Sequence, residues 1–251
     1  MLIVFTVFAP SNRGLRYVRE QGLFFLSKNF SGLELKIEEH KGEDIPGLVK
    51  DLYYDNKSKV AGLTGEDLLV SYIAGTIGNN IFGDGWENSL VLKYLCLRGK
   101  GPYEKAVFGL PSLCILGRNG IDPDKFAEAY TSRINYPKLF SEPPDFRGKK
   151  VAIVKRYENL IRSRIRLEDA GLITLDRKAD IAAAKGEADY AIDVVLEGKT
   201  CRSEGLGLFP PVVFFSDGVA LGNKNLKPSP YEPKIIGMPY NSSDGISRWS
   251  H

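Results

Sequence analysis

The stretch GEADYAIDVVLEGKTCRSEGL, residues 186–206, decides the fold. Ala188 to Leu196 gathers into an apolar run of Tyr190, Ala191, Ile192, Val194, Val195 and Leu196, and it stops abruptly at Glu197-Gly198-Lys199-Thr200. A short apolar run ending in a polar, Gly-containing loop reads as a buried strand. In an open α/β sheet, ligands sit beyond the carboxyl ends of the strands, where exposed backbone N–H groups can meet an anion. Gly198 permits close backbone approach, Thr200 offers a hydroxyl, and Lys199 and Arg202 offer positive charge. Two readings fit: a phosphate-binding loop, or a strand-to-helix turn with solvated charges.

Working outward, the neighbouring segments repeat the strand–helix alternation. Val151–Val154 is a short strand after Arg147-Gly148-Lys149-Lys150, and Arg156 opens a basic helix (Arg162, Arg164, Arg166) that runs to about Ala170 before Gly171. Leu172–Leu175 is a strand, Asp180–Lys185 a helix and Val212–Phe215 a further strand; the Pro-rich tail beyond Lys227 reads as peripheral. Nearer the start, Leu2–Phe8 reads as a central strand and Leu15–Lys28 as a helix. Between them, Ser11, Asn12 and Arg13 either face a ligand or cap the helix. Leu33–Glu39 alternates as a strand, Pro46 begins a helix, and Val60–Leu63 leads through a Thr64-Gly65 turn to a helix with Glu66 and Asp67 in its first turn. The Gly-rich sector 75–101 matches neither a dinucleotide fingerprint nor a Walker loop and reads as turns around a flap. Leu90–Arg98 and 105–116, broken at Pro111, are strand candidates, and Asp122 caps a helix to about Arg133. Short connections between alternating elements predict an α/β fold with mainly parallel sheets.

The 251 residues leave room for one large or two modest domains, and 43% hydrophobic content supplies a core. The net charge of +3 is dispersed, which gives no nucleic-acid footprint and is compatible with a small anionic ligand. Cys96, Cys114 and Cys201 lack disulfide or zinc spacing, so reduced thiols in a cytoplasmic protein are expected. The apolar start has no basic n-region, and no run reaches a membrane-spanning length. His40 reads as solvated, and neither it nor His251 forms a triad or metal cluster.

Four segments taken in order resemble the ATP phosphoribosyltransferase family of histidine biosynthesis. Lys41–Pro46 is similar to a basic segment ending in Asp-Ile-Pro, and Val60–Leu69 to the family's Asp-Leu-Gly-Ile-Thr-Gly-x-Asp-Leu-Leu turn. Lys149–Arg164 is similar to a strand followed by Lys/Arg-Tyr-Pro-Asn-Leu, and Gly186–Leu206 to Gly-Leu-Ala-Asp-Ala-Ile-Val-Asp followed by a Thr-Gly-x-Thr-Leu loop. The chain also departs from the pattern. Glu197 stands where the loop opens with Thr, Arg177–Asp180 replaces Gly-Ser-Val-Glu, and Ala9–Gly14 keeps Arg13 but no Lys of Leu-Pro-Lys-Gly-Arg.

The resemblance implies a two-lobed fold of the type II periplasmic-binding-protein kind with a cleft between lobes. Residues 1–106 and 207–251 would form the first lobe, and 107–206 the second. It implies attack by N1 of ATP on C1 of phosphoribosyl pyrophosphate, with Mg²⁺ carried in on the diphosphate and no resident metal. Asp193 would stand near the sugar hydroxyls, with Glu197, Gly198, Lys199, Thr200 and Arg202 around the 5-phosphate. Arg13, Lys41, Thr64 and Gly65 would line the opposite wall, Arg13 acting with Asp193 in catalysis, and Arg156 and Tyr157 would approach the nucleotide. The implied assembly is a homo-oligomer, with a regulatory partner related to histidyl-tRNA synthetase. Because the loop is altered, a binding protein of the same fold that closes on a small anion without catalysis is the alternative.

Overall fold

The computed structural model describes residues 4–30, 33–52, 59–78, 91–131 and 142–222. They build two five-stranded sheets, one per lobe. In the first, β1 (Val4–Pro10), β2 (Glu34–His40) and β3 (Lys59–Gly65) are linked through helices α1 (Arg16–Asn29) and α2 (Ile45–Asp51). β1 lies parallel to both neighbours, as strand–helix–strand units require. Alternation along β1 buries its two faces in different clusters: Phe5 and Val7 with Leu26 and Leu63, Phe8 with Ile45 and Val49. Helix α3 (Glu66–Gly78) follows β3 directly, and β4 (Val91–Tyr94) forms one edge.

The second sheet is built from β5 (Ser112–Gly117), β6 (Lys150–Val154), β7 (Gly171–Leu175), β8 (Tyr190–Val195) and β9 (Gly207–Phe215) in the order β7-β6-β8-β5-β9. Helices α4 (Pro123–Thr131), α5 (Glu158–Arg164), α6 (Ala179–Lys185) and α7 (Lys199–Ser203) lie between them. Its core holds Phe126, Ile153, Leu160 and Ile192. The chain then returns to the first sheet as β10 (Gly218–Gly222), inserted between β3 and β4.

Several expectations are corrected. The sheets are mixed rather than mainly parallel: β5 runs antiparallel to β8 and β9, and β10 to β3 and β4, because each of these strands enters from the hinge. The second sheet extends past 206, since β9 pairs with β5 and the crossing back falls at Ser216-Asp217. Gly75 to Gly78 continue α3 instead of turning, the strand expected over 105–116 forms only at Ser112–Gly117, with Lys105 ending a 3-10 turn, and α5 ends at Arg164, beyond which Ile165 is extended. Gly83, Gly85 and the tail beyond Lys227 lie outside the described residues. Among the described residues no helix is long and apolar enough to cross a membrane.

Candidate active-site cleft

The wall supplied by the first lobe is the carboxyl edge of β1, β2 and β3. Ser11 donates both its N–H (2.7 Å) and its hydroxyl (3.0 Å) to the His40 carbonyl. Asn12 accepts from the Gly42 N–H at 2.5 Å and donates to Glu43 at 3.2 Å. These bonds tie the loops after β1 and β2 together, so Arg13 and Lys41 stand exposed on one surface. Thr64 is fully buried and donates to the Gly42 carbonyl at 2.8 Å. Gly65, expected to line the wall, ends β3 where a Cβ would meet the Asp67 carboxylate and the Ser216 hydroxyl, so the space beside it is taken by the protein's own side chains.

On the second lobe, Asp193 caps α6. Its carboxylate accepts from the backbone N–H groups of Val194 (2.7 Å) and Asp180 (3.4 Å), and also from Ala179. Burial pushes its pKa up and nearby Asp180 adds to this, while the three N–H donors oppose it. The 197–202 loop turns at Gly198, whose φ of +67° places it in the left-handed region at the start of α7. Lys199 is paired with the Glu197 carboxylate, which holds Glu197 below the usual range, and Arg202 is paired with Asp124 at 2.9 Å. Arg202 also donates to the Glu197 carbonyl at 2.5 Å. Both cations expected to meet a phosphate are therefore engaged by carboxylates within the lobe. Thr200 is exposed, at the first turn of α7, whose N–H groups have no helical acceptor.

Between the walls lies a junction that sequence reasoning did not assemble. The 3-10 turn Lys155–Tyr157 follows β6, and the Arg156 guanidinium sits over the Tyr157 ring, 5.0 Å from its centroid. Tyr157, expected to approach a nucleotide, is buried instead, and burial followed by the charge of Asp67 of the first lobe pushes its hydroxyl pKa up. The Arg156 carbonyl accepts from the Ser71 hydroxyl at 2.6 Å. Asp67 accepts from Ser216 at 2.6 Å, and burial pushes its carboxyl up against the pull of this donor. Beside it, Glu66 accepts from the Tyr94 hydroxyl at 2.8 Å, and burial raises its pKa to about 7. Asp217 accepts from the N–H groups of Leu97 (3.0 Å) and Gly218 (2.7 Å). The sequence marked Glu66 and Asp67 as first-turn acids, but Ser216 is 149 residues away from Asp67 and no local pattern signals it. Because α3 starts at the carboxyl end of β3 and meets the turn at the carboxyl end of β6, these two strand ends face each other.

Elsewhere, His40 is half-buried with its ring edge-on to Phe8 and Nε2 3.8 Å from Glu38, while Cys114 and Cys201 are buried and Cys96 is exposed. Among the described residues no three His, Cys, Asp or Glu side chains gather to hold a metal ion.

No protein-family model matches the chain. In sequence it is similar to the ATP phosphoribosyltransferase of Corynebacterium glutamicum strain R, 34% identical over 91 residues, which is 36% of this chain and 32% of that relative. The ATP phosphoribosyltransferase of Corynebacterium diphtheriae is 35% identical over 79 residues, 31% of this chain and 27% of the relative. The aligned part spans about a third or less of the length of these curated relatives. In fold it is similar to the ATP phosphoribosyl transferase (HisG:HisZ) complex of Thermotoga maritima, with a TM-score of 0.51, 13% identity and 87% of each chain covered. The periplasmic aliphatic sulphonate binding protein SsuA of Escherichia coli superposes at a TM-score of 0.45, with 15% identity, 90% of this chain and 63% of that one. The chain thus has an α/β two-lobed fold like that of the Thermotoga maritima protein and is similar, over about a third of its length, to ATP phosphoribosyltransferases.

Proposed function

We propose that the chain transfers the phosphoribosyl group of phosphoribosyl pyrophosphate to N1 of ATP, releasing pyrophosphate, as the first step of histidine biosynthesis in the cytoplasm. The sequence match to named ATP phosphoribosyltransferases is the observation that carries this reading. A new C–N bond forms at C1 of the ribose as the C–O bond to the diphosphate breaks, so catalysis lies in holding the donor and neutralising the leaving charge. Asp193 accepts hydrogen bonds from the ribose hydroxyls, and the N–H groups opening α7, with Thr200, hold the 5-phosphate. Arg13 and Lys41 draw in the diphosphate, whose Mg²⁺ arrives with the substrate, and Arg156 meets the nucleotide. A regulatory partner completes the working assembly, in the manner of the HisG:HisZ complex.

A second reading, a two-lobed protein that closes on an anion without chemistry, is favoured by the pairing of Lys199 with Glu197 and Arg202 with Asp124. Calorimetric titration with phosphoribosyl pyrophosphate and Mg²⁺, with and without ATP, followed by a pyrophosphate assay, separates the two. The transferase binds the donor and releases pyrophosphate when ATP is present. Binding without release selects the second reading or a partner-dependent subunit, and absence of binding overturns both.

A further inference from the structure

Leu68, Ser71 and Gly75 stand three and four residues apart along α3 and therefore share one face. That face packs against the second lobe. Leu68 is buried in the second lobe's apolar cluster, the Ser71 hydroxyl donates to the Arg156 carbonyl at 2.6 Å, and a Cβ on Gly75 would run into the Asn159 amide. The last two contacts fall where the 3-10 turn after β6 becomes α5. A serine inside a helix ordinarily faces water or bonds back to a carbonyl of its own helix. Ser71 is buried, and its one hydroxyl proton goes to the other lobe. The carbonyl it holds belongs to Arg156, whose side chain is exposed. Because the Lys155–Tyr157 turn is so short, gripping its central carbonyl fixes the direction in which the Arg156 side chain leaves the backbone. The guanidinium then lies over the ring of buried Tyr157, 5.0 Å from its centroid.

We infer that Ser71 is a positioning residue: from the first lobe its hydroxyl holds the turn that aims Arg156, so the guanidinium keeps its place in the cleft only while α3 is seated on that turn. The aiming rests on geometry alone; its consequence for ATP rests on the proposed transferase reading. Without the hydroxyl, the Arg156 carbonyl faces a buried methyl group in place of its donor, and the turn gains by rotating that carbonyl toward water.

The test uses the full chain carrying isotope-labelled arginine, in which the Arg156 Nε–H resonance is identified by its loss in Arg156→Met. In the parent the ring current of Tyr157 should displace it from the position of a solvated arginine. Ser71→Ala, which removes only an oxygen, should return it toward that position, and Ser71→Thr, which keeps the hydroxyl, should restore the displacement. Gly75→Leu, which wedges α3 off Asn159 without touching Ser71, should act as Ser71→Ala does. An Arg156 resonance unmoved in a folded Ser71→Ala overturns the inference. Pyrophosphate-release kinetics then read the consequence. KM for ATP should rise about tenfold in Ser71→Ala, the loss expected for one buried hydrogen bond, with KM for phosphoribosyl pyrophosphate unchanged. In an Arg156→Met background the same substitution should have no further effect on ATP, because Ser71 acts through Arg156. An equal effect in both backgrounds, or a parallel rise for both substrates, overturns the positioning role. If the parent releases no pyrophosphate, the transferase reading falls and the aiming is still judged by the arginine resonance.

Discussion

Glu66 is 5% exposed, and burial lifts its carboxyl from 4.5 to about 7, with Asp217 and Asp67 adding like charge against the Tyr94 hydroxyl and the Asp217 contact that pull it down. The folded state thus holds this proton more tightly than the unfolded chain. Its contribution to stability is complete below pH 4.5 and disappears as the pH climbs through 7, a difference of about 3 kcal/mol at 1.36 kcal/mol per pH unit. Urea unfolding followed by circular dichroism should show Glu66→Gln with a flatter dependence between pH 5 and 8, and with higher stability than the parent at pH 8. An unchanged slope would mean that Glu66 is ionised without penalty. A similar argument bears on Glu197: Glu197→Thr releases Lys199 from its carboxylate. Phosphoribosyl pyrophosphate should then bind several-fold more tightly at low salt, with the gain fading as salt screens the freed charge. Glu197 was legible as a departure from the Thr of the resembled loop; its ion pair with Lys199 was not, because spacing shows proximity along the chain and says nothing of rotamer.

At the scale of elements, the strands and helices were largely readable because periodicity is local: the β8 run, the Pro46 helix start and the short strand at Val151–Val154 all stand close to their expected bounds. Pairing was not readable, because the neighbour of a strand is chosen across the chain. The Gly120–Gly207 contact illustrates this. Ile121 and Leu208 exchange both backbone hydrogen bonds at 2.9 and 2.7 Å, and a Cβ on either glycine would overlap the other's backbone. Backbone on the far side cannot yield as a flexible side chain does, so Gly207→Ala should destabilise the chain by about 1–3 kcal/mol, read from the shift in the urea midpoint. Gly75 shows the opposite case. A glycine inside a run of other glycines reads as a turn, yet here it lets α3 pass close to Asn159.

For the whole molecule, the two lobes keep largely separate cores, with Leu68 of the first entering that of the second. Native-state hydrogen exchange should therefore resolve two cooperative units, β5, β6 and β8 in one and β1, β3 and β10 in the other, and Ser71→Ala should leave both intact. The two-lobed architecture was legible through the family resemblance, and the candidate cleft only in part: Asp193 and the 197–202 loop stood out by position, whereas Ser71 and the Arg156 carbonyl meet only once both sheets exist. The insertion of β10 between β3 and β4 has a consequence for biosynthesis. Strands β5 to β9 leave the ribosome as one uninterrupted length, while the first sheet still lacks an inner strand until residues 218–222 emerge. The amino-terminal lobe is thus the last to be completed, and until then β3 carries an unpaired edge that a chaperone must cover or another nascent chain can capture.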